Sequence, residues 1–255
     1  NVKDYKLEEL YNKLGYIPQK AVLFDGSVNF NVSYGESKQG EKRQDNEKKD
    51  KTMRIITGLY KGRHFDIPRS FKARPTTDFA KENIFNVMNG YVCFDEALSL
   101  DLFAGTGSIS LELLSRGCKE VISIEADRDH AAFIRQCIAK IGAKNHTLIR
   151  GDVFRFIKTC RQKFDIIFAD PPYALPELPT IPRLVFERGL LKPDGLLVFE
   201  HGKHNSFEND PHFVEHRAYG SVNFSIFMNK EADDEEKQNE EEPRNEEKEQ
   251  NNEEK

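Results

Sequence analysis

Short apolar runs alternate with amphipathic stretches through the middle of the chain. Five runs rich in β-branched, leucine or aromatic residues predict strands over 97–103, 120–125, 146–150, 164–170 and 195–200. The stretches between them predict helices over 109–116, 129–141, 153–161 and 181–188. Strand and helix in alternation indicate βαβ units, and therefore a mainly parallel, doubly wound sheet of the α/β class.

The alternation changes on both sides of this region. Strand-like segments at 213–219 and 222–228 are separated only by Gly220-Ser221, which predicts an antiparallel hairpin at the sheet edge. Before the sheet, 53–68 alternates like a β-hairpin that turns near Lys61-Gly62. A helix is predicted over 78–88, with Thr76 or Thr77 as its cap.

Two segments contain too little apolar surface to fold. Residues 36–52 include no apolar side chain and mix 6 Lys/Arg with 5 Asp/Glu, which predicts a solvated linker. Residues 231–255 carry a net charge of −9, so the formal total of −5 leaves +4 for residues 1–230. We therefore predict an extension of unknown role over 1–35, a linker over 36–52, a folded domain over 53–229 and a disordered acidic tail over 230–255. The domain divides into a hairpin and helix over 53–90 and a core over 95–229.

Composition excludes several classes of protein. The four cysteines form no Cys-x-x-Cys pair, and the histidines near the end of the domain lack a completing carboxylate or cysteine, so neither a disulfide framework nor a metal site is expected. The first residues lack the apolar stretch of a signal peptide, and no segment has the length of a membrane span. We expect a cytoplasmic monomer that holds no metal.

A glycine-rich loop joins the first predicted strand of the core to its helix. The segment Asp101-Leu-Phe-Ala-Gly105-Thr-Gly107 lets the chain turn sharply and brings backbone N–H groups close to a ligand. Ser110 stands where a dinucleotide fingerprint has its third glycine, so the fingerprint is incomplete.

Acidic residues follow the next two strands. Glu125 ends the second strand, 20 residues after Gly105, where a doubly wound fold places a carboxylate against ribose hydroxyls. Asp152 follows the third strand and could meet an adenine amino group, although it could equally do no more than cap the following helix. Acidic strand ends disfavour a pyrophosphate and suit a cationic sulfonium, which favours S-adenosylmethionine over NAD.

The tetrapeptide Asp170-Pro-Pro-Tyr173 directly follows the fourth strand, at the edge where ligands bind in such sheets. The amino nitrogen of a base is conjugated with its ring and is a poor nucleophile. The Asp170 carboxylate and the Pro171 carbonyl could accept its two N–H bonds and stabilise the developing positive charge. Pro172 would help to fix these acceptors, and Tyr173 could stack on an extruded base. The alternative is a turn that only ends the strand.

The chain between Met53 and Arg74 is basic. Its cations are Arg54, Lys61, Arg63, Arg69, Lys72 and Arg74, against the single acidic residue Asp66. With Tyr60 and Phe65 between them, these cations predict a face that follows RNA phosphates. A merely solvated hairpin surface is the alternative.

Taken together, these motifs resemble the RsmD-type methyltransferases, which act on the N2 amino group of guanine in small-subunit ribosomal RNA. The resemblance covers Met53 to about Asn229 and rests on MRIITGLYKGR, RPTTDFAKENIFNVM, LDLFAGTGSISLELLSRG and FDIIFADPPY. It implies a Rossmann-like class I fold, S-adenosylmethionine as the cofactor, and ribosomal RNA, within a small-subunit particle, as the partner. The predicted cofactor-binding residues are Asp101, Phe103, Ala104, Gly105, Thr106, Gly107, Glu125, Ala126, Asp152 and Val153. The predicted catalytic residues are Asp170, Pro171, Pro172 and Tyr173.

Other functions remain open on the sequence alone. The DPPY motif also fits amino methyltransferases that act on DNA or on other RNA bases, although no room remains for a DNA target-recognition domain. A NAD-dependent oxidoreductase on the same fold is disfavoured by Ser110 and by the DPPY turn. An RNA-binding protein without catalysis is disfavoured by the intact Asp170 and glycine loop.

Overall fold

The computed structural model of the protein describes residues 52–71 and 76–230. The predicted extension over 1–35, the linker before Thr52 and the acidic tail after Lys230 lie outside these residues, as do Lys72 and Arg74. In the part of the chain that is described, no helix is long and apolar enough to cross a membrane.

The elements follow the predicted order. The strands are β1 (Thr52–Arg54), β2 (His64–Asp66), β3 (Leu98–Asp101), β4 (Glu120–Glu125), β5 (His146–Arg150), β6 (Phe164–Ala169), β7 (Leu191–His201), β8 (Phe213–Tyr219) and β9 (Val222–Met228). The α-helices are α1 (Asp78–Met88), α2 (Ser108–Ser115), α3 (Arg128–Ile141), α4 (Val153–Thr159) and α5 (Ile181–Glu187), and a 3-10 turn spans Leu178–Thr180.

Seven strands form the central sheet, in the order β5-β4-β3-β6-β7-β9-β8. The first five of these are parallel, whereas β9 pairs antiparallel with both β7 and β8. The strand order reverses between β3 and β6, so the loops that follow these two strands open a crevice at the carboxyl edge. The predicted parallel sheet with an antiparallel edge hairpin is confirmed.

Alternating side chains of the sheet supply two cores. In β6, Ile166 and Phe168 belong to a cluster on one face, whereas Ile167 and Ala169 belong to a cluster on the other. Helices α1, α2 and α3 contribute to the first cluster, and α4 and α5 contribute to the second. The glycine loop and the DPPY turn are therefore held by strands that are buried on both faces.

The N-terminal hairpin is attached to the sheet through α2. Strands β1 and β2 are antiparallel, with Met53 opposite Phe65, which confirms the predicted hairpin. The buried Glu112 carboxylate accepts hydrogen bonds from the backbone N–H groups of Ile56 and Thr57, at 2.8 and 3.1 Å. The buried ammonium of Lys81 in α1 donates to the Arg54 carbonyl and, at 3.0 Å, to the Ser108 hydroxyl. These bonds fix the hairpin against the helix that follows the glycine loop.

Strand β7 is longer than predicted. It begins at Leu191 rather than Gly195, and its pairing with β6 shifts between Phe164 and Ile166. Leu191 pairs with Phe164 but Leu196 pairs with Ile166, so the intervening Pro193-Asp194 bulges out of the ladder. Asp194 has a φ of 56°, a conformation more common in turns than in strands.

Candidate active site

The glycine loop leaves β3 and enters α2 through two residues in the left-handed region. Gly105 and Gly107 have φ values of 53° and 78°. A Cβ on Gly107 would lie 3.0 Å from a side-chain carbon of Ile134 in α3, so this position has neither the conformation nor the space for a larger residue. The glycines therefore set the path of the loop.

Glu125, at the end of β4, holds the loop in place. One of its carboxylate oxygens accepts a hydrogen bond from the Gly105 N–H at 2.7 Å, and the other accepts one from the Asp127 N–H, also at 2.7 Å. The residue also lines the crevice. An ionised carboxylate can accept about four hydrogen bonds, so Glu125 retains acceptor capacity for ribose hydroxyls. That contact stays a prediction.

Asp101 lies behind the loop and not in the wall of the crevice. It is 1% exposed, and its carboxylate accepts a 2.6 Å hydrogen bond from the Ser110 hydroxyl, which contacts Ser123 at the same distance. Burial, together with the nearby charge of Glu125, raises the pKa of Asp101 to about 7. Ser110, where a dinucleotide fingerprint has glycine, thus satisfies a buried carboxyl group. Asp101 therefore supports the glycine loop from behind, on the side away from the crevice.

Asp152 caps a helix and also lies in the wall of the crevice, so its contact with an adenine amino group stays a prediction. Its carboxylate accepts a 2.8 Å hydrogen bond from the Arg155 N–H and so caps α4. It also lines the crevice, beside Val153. Capping uses only part of the acceptor capacity of a carboxylate, so the cap does not prevent a contact with a ligand.

The crevice joins the predicted cofactor loop to the predicted catalytic turn. Its volume is about 880 Å³, within the range of roughly 300–1,000 Å³ that is usual for small-molecule sites. The predicted residues that line it are Phe103, Ala104, Gly105, Thr106, Glu125, Ala126, Asp152, Val153, Asp170, Pro171, Pro172 and Tyr173. Of the predicted set, Asp101 and Gly107 are not part of the lining.

A second carboxyl group that the sequence analysis missed lies beside Asp170. Ala169 at the end of β6 pairs with Phe199 in β7, so Asp170, just after β6, lies at the level of Glu200 in β7. Their side chains are hydrogen-bonded to each other. Burial, and then the charge of Glu200, raise the pKa of Asp170 well above the usual range of an aspartate. Of the two, Asp170 is therefore the group that takes up a proton more readily.

Two hydroxyl groups also face Glu200. The Tyr173 hydroxyl donates to one carboxylate oxygen at 2.7 Å, and the Thr76 hydroxyl contacts the other at 3.4 Å. Burial and the neighbouring Glu200 charge raise the pKa of Tyr173, so its hydroxyl stays protonated and acts as a donor. The Tyr173 side chain is 46% exposed, which leaves part of its ring accessible from solvent.

The structure describes four of the six cations of the predicted RNA face. Lys61, Arg63 and Arg69 are exposed. Arg63 donates to the Lys140 carbonyl at 2.8 Å, and Arg54 pairs with Asp78 at 2.9 Å.

The aromatic part of the prediction was wrong in one respect. Phe65 is 3% exposed and belongs to the core, because its strand position turns it inward opposite Met53. Tyr60 is half-buried and lies beneath the Arg63 guanidinium, 5.8 Å from it. Leu59, at 78% exposed, projects from the same loop.

Comparison with known proteins shows the family of this chain. A family model described as conserved hypothetical protein 95 matches residues 53–228, more than half of the chain. The chain belongs to this family. Relatives of this chain are named ribosomal RNA small subunit methyltransferase D, and together with the family match they confirm the predicted kinship with the RsmD type.

The alignments with two of these relatives cover most of the length of each relative. The Haemophilus influenzae protein is 30% identical over 183 residues, which are 69% of this chain and 94% of that protein. The Escherichia coli K12 protein is 31% identical over 159 residues, 62% of this chain and 79% of that protein. A solved structure of a hypothetical protein from Thermus thermophilus, 25% identical, superposes with a TM-score of 0.61 over 69% of this chain and 98% of that chain. The similarity to these relatives agrees with the predicted Rossmann-like class I methyltransferase fold.

Proposed function

We propose that this protein transfers a methyl group from S-adenosylmethionine to the exocyclic N2 amino group of a guanine in small-subunit ribosomal RNA. The observation that carries the proposal is the crevice in which the Asp170-Pro-Pro-Tyr173 turn faces the glycine loop and Glu125. Family membership supports S-adenosylmethionine as the cofactor and ribosomal RNA as the substrate, since the relatives are named as ribosomal RNA methyltransferases.

The residues of the crevice fit this cofactor. Glu125 and Asp152 place carboxylate oxygens at its cofactor end, where ribose hydroxyls, an amino group and a positive charge are all favourable partners. A pyrophosphate would meet the same carboxylates unfavourably, which argues against NAD. When bound, S-adenosylmethionine supplies an activated methyl group on a sulfonium.

The chemistry at Asp170 follows from its surroundings. The Asp170 carboxylate and the Pro171 carbonyl accept the two N–H bonds of the amino group and hold its nitrogen in line with the methyl group. Once methylated by the group that the cofactor would supply, the nitrogen would have to lose one proton. A carboxyl group whose pKa is raised by burial is a suitable first acceptor for that proton at neutral pH. The exposed part of the Tyr173 ring offers a stacking surface for the base.

The experiment is identification of the methylated nucleoside. Purified protein and methyl-labelled S-adenosylmethionine are incubated with ribosomal RNA, or with small-subunit particles, from cells that lack the gene. The RNA is then digested and analysed by mass spectrometry. We expect N2-methylguanosine, and the comparison of naked RNA with particles identifies the true substrate. Label in another base, or in neither substrate, would contradict the proposal.

A further inference from the structure

Glu200 is a buried acidic group in the crevice that the proposed mechanism does not use. It is 5% exposed, lines the crevice and is hydrogen-bonded to Asp170. Its backbone lies in β7, paired with Phe224 of β9, so its position is fixed by the sheet. A buried carboxylate is costly unless it is hydrogen-bonded, which makes the partners of Glu200 informative.

The partners of Glu200 are hydrogen-bond donors. Tyr173 and Thr76 direct hydroxyl groups to its two oxygens, and Asp170 supplies a third contact from inside the crevice. Burial raises the pKa of Glu200, and each of these three contacts opposes that rise by favouring the ionised form. Glu200 is thus built as an acceptor, and the place that Asp170 occupies is the one a ligand in the crevice can take over.

The bases differ in the hydrogen-bonding group that lies next to their exocyclic amino group. Guanine has a ring N–H next to its N2 amino group, so two donors are adjacent. Adenine and cytosine instead have a ring nitrogen acceptor next to their amino groups. Two neighbouring acceptors, one for the amino group and one for the ring nitrogen, therefore match guanine and oppose the other two bases.

We infer that Glu200 accepts the N1–H of the target guanine while Asp170 accepts an N–H of its amino group, which makes Glu200 the residue that selects guanine. This inference rests on the proposed function. In the bound state, the N1–H of the base takes the place of Asp170 beside Glu200. The proton that Asp170 shares with Glu200 in the free protein is released to solvent as the base binds, so both carboxylates are acceptors. Tyr173 and Thr76 hold Glu200 in position. A base with an acceptor at this place would leave the buried carboxylate facing a lone pair, which is strongly unfavourable.

The test uses 2-aminopurine, which keeps the 2-amino group but has no N1–H. Small-subunit ribosomal RNA is assembled by splint ligation with either guanosine or 2-aminopurine riboside at the methylated position. The RNA is reconstituted into particles if these are the true substrate. Loss of a hydrogen bond to a charged group should lower kcat/KM of the wild-type protein on 2-aminopurine by about ten- to a hundred-fold.

Glu200→Gln is the informative variant, because its amide still accepts from Tyr173 and can donate to the bare N1 of 2-aminopurine. It should lose activity on guanosine and lose most of its preference for guanosine over 2-aminopurine. 2-Aminopurine also lacks the O6 of guanine, so the wild-type protein alone does not tell the effect of N1 from that of O6. Because Glu200→Gln changes only the group assigned to N1, a loss of preference in this variant assigns the effect to N1. The matched control is Glu208→Gln, the same substitution at an exposed position, which should keep wild-type preference. Thermal unfolding and calorimetric binding of S-adenosylmethionine should be unchanged in both variants.

The outcomes separate the inference from the proposed function. A wild-type product other than N2-methylguanosine would overturn both. Formation of N2-methylguanosine with equal use of 2-aminopurine, or a Glu200→Gln variant that keeps wild-type preference, would overturn the role of Glu200 alone.

Discussion

Replacing Glu112 by alanine tests how the N-terminal hairpin is held on the catalytic domain. The Glu112 side chain is fully buried and accepts three hydrogen bonds: from the Ile56 and Thr57 backbones and, at 2.9 Å, from the Arg116 guanidinium. Arg116 itself is only 9% exposed and lies 4.7 Å from the Phe85 ring. Alanine would leave two backbone donors and a nearly buried cation without their acceptor.

The expected loss of stability is large. Removing one member of a buried ion pair costs about 3–5 kcal/mol. For a folded part of this size, 1 kcal/mol lowers the Tm by roughly 2–4 °C, so the Tm should fall by about 6–20 °C. Greater helix propensity of alanine offsets only a few tenths of a kcal/mol of this loss.

Glu187→Ala is the matched control. Glu187 also lies in a helix and forms an ion pair, over 3.6 Å, with an arginine four residues away, but both side chains are more than half exposed. Such a surface pair contributes about 0–1 kcal/mol, so the Tm should change by at most a few degrees. Thermal unfolding followed by circular dichroism measures both variants. Equal Tm values for Glu112→Ala and Glu187→Ala would refute the anchoring role of Glu112.

Three further predictions concern the crevice and the glycine loop beside it. Calorimetry should show binding of S-adenosylmethionine and not of NAD, because Glu125 and Asp152 face the cofactor end; binding of NAD alone would contradict this. Tyr173→Ala should weaken RNA binding by about 1–3 kcal/mol through lost stacking, and Tyr173→Phe should be milder, since it loses only the bond to Glu200; equal effects on RNA affinity would argue against stacking. Asp101→Asn should flatten the pH dependence of stability. The folded pKa of Asp101, about 7, lies above its unfolded value of 3.8, so Asp101 contributes stability that is present below pH 4 and lost as the pH rises to 7. Denaturant titrations from pH 4 to 8 should therefore show a weaker fall in the free energy of unfolding for the variant, and an unchanged fall would exclude Asp101 as its source.

The sheet was predictable because its signals are local. Apolar runs that alternate with amphipathic stretches marked β3 to β6 to within a few residues, and Gly220-Ser221 marked the edge hairpin. The start of β7 was not predictable, since Pro193-Asp194 has the local character of a turn. Its pairing depends on Leu191 reaching Phe164 in another strand, which no local pattern contains.

The residues of the site also differ in whether the local sequence could predict them. Asp170 and the glycine loop were predicted because each is a contiguous motif at a strand end. Glu200 was missed, because its importance depends on the register that sets Phe199 opposite Ala169. The rule that identified Glu125 and Asp152, an acidic residue at the end of a parallel strand, would have found Glu200 if it had been applied to the fifth strand of the core.

The contact from Thr76 could not be predicted at all. It joins residues 124 positions apart and arises only once the segment before α1 passes the end of β7. The inward turn of Phe65 similarly depends on its pairing with Met53. In both cases tertiary packing decides what a side chain contacts, and the local sequence leaves this open.

The most direct test of the central claim measures methyl transfer and cofactor binding together in Asp170→Ala. Because Asp170 is assigned to the target nitrogen and not to the cofactor, the variant should bind S-adenosylmethionine with nearly wild-type affinity by calorimetry. Its rate of methyl transfer to ribosomal RNA, measured in single turnovers, should fall roughly a hundred- to thousand-fold, the usual effect of losing one preorganised acceptor. Near-normal transfer by this variant, or a loss explained entirely by failure to bind S-adenosylmethionine, would contradict the mechanism.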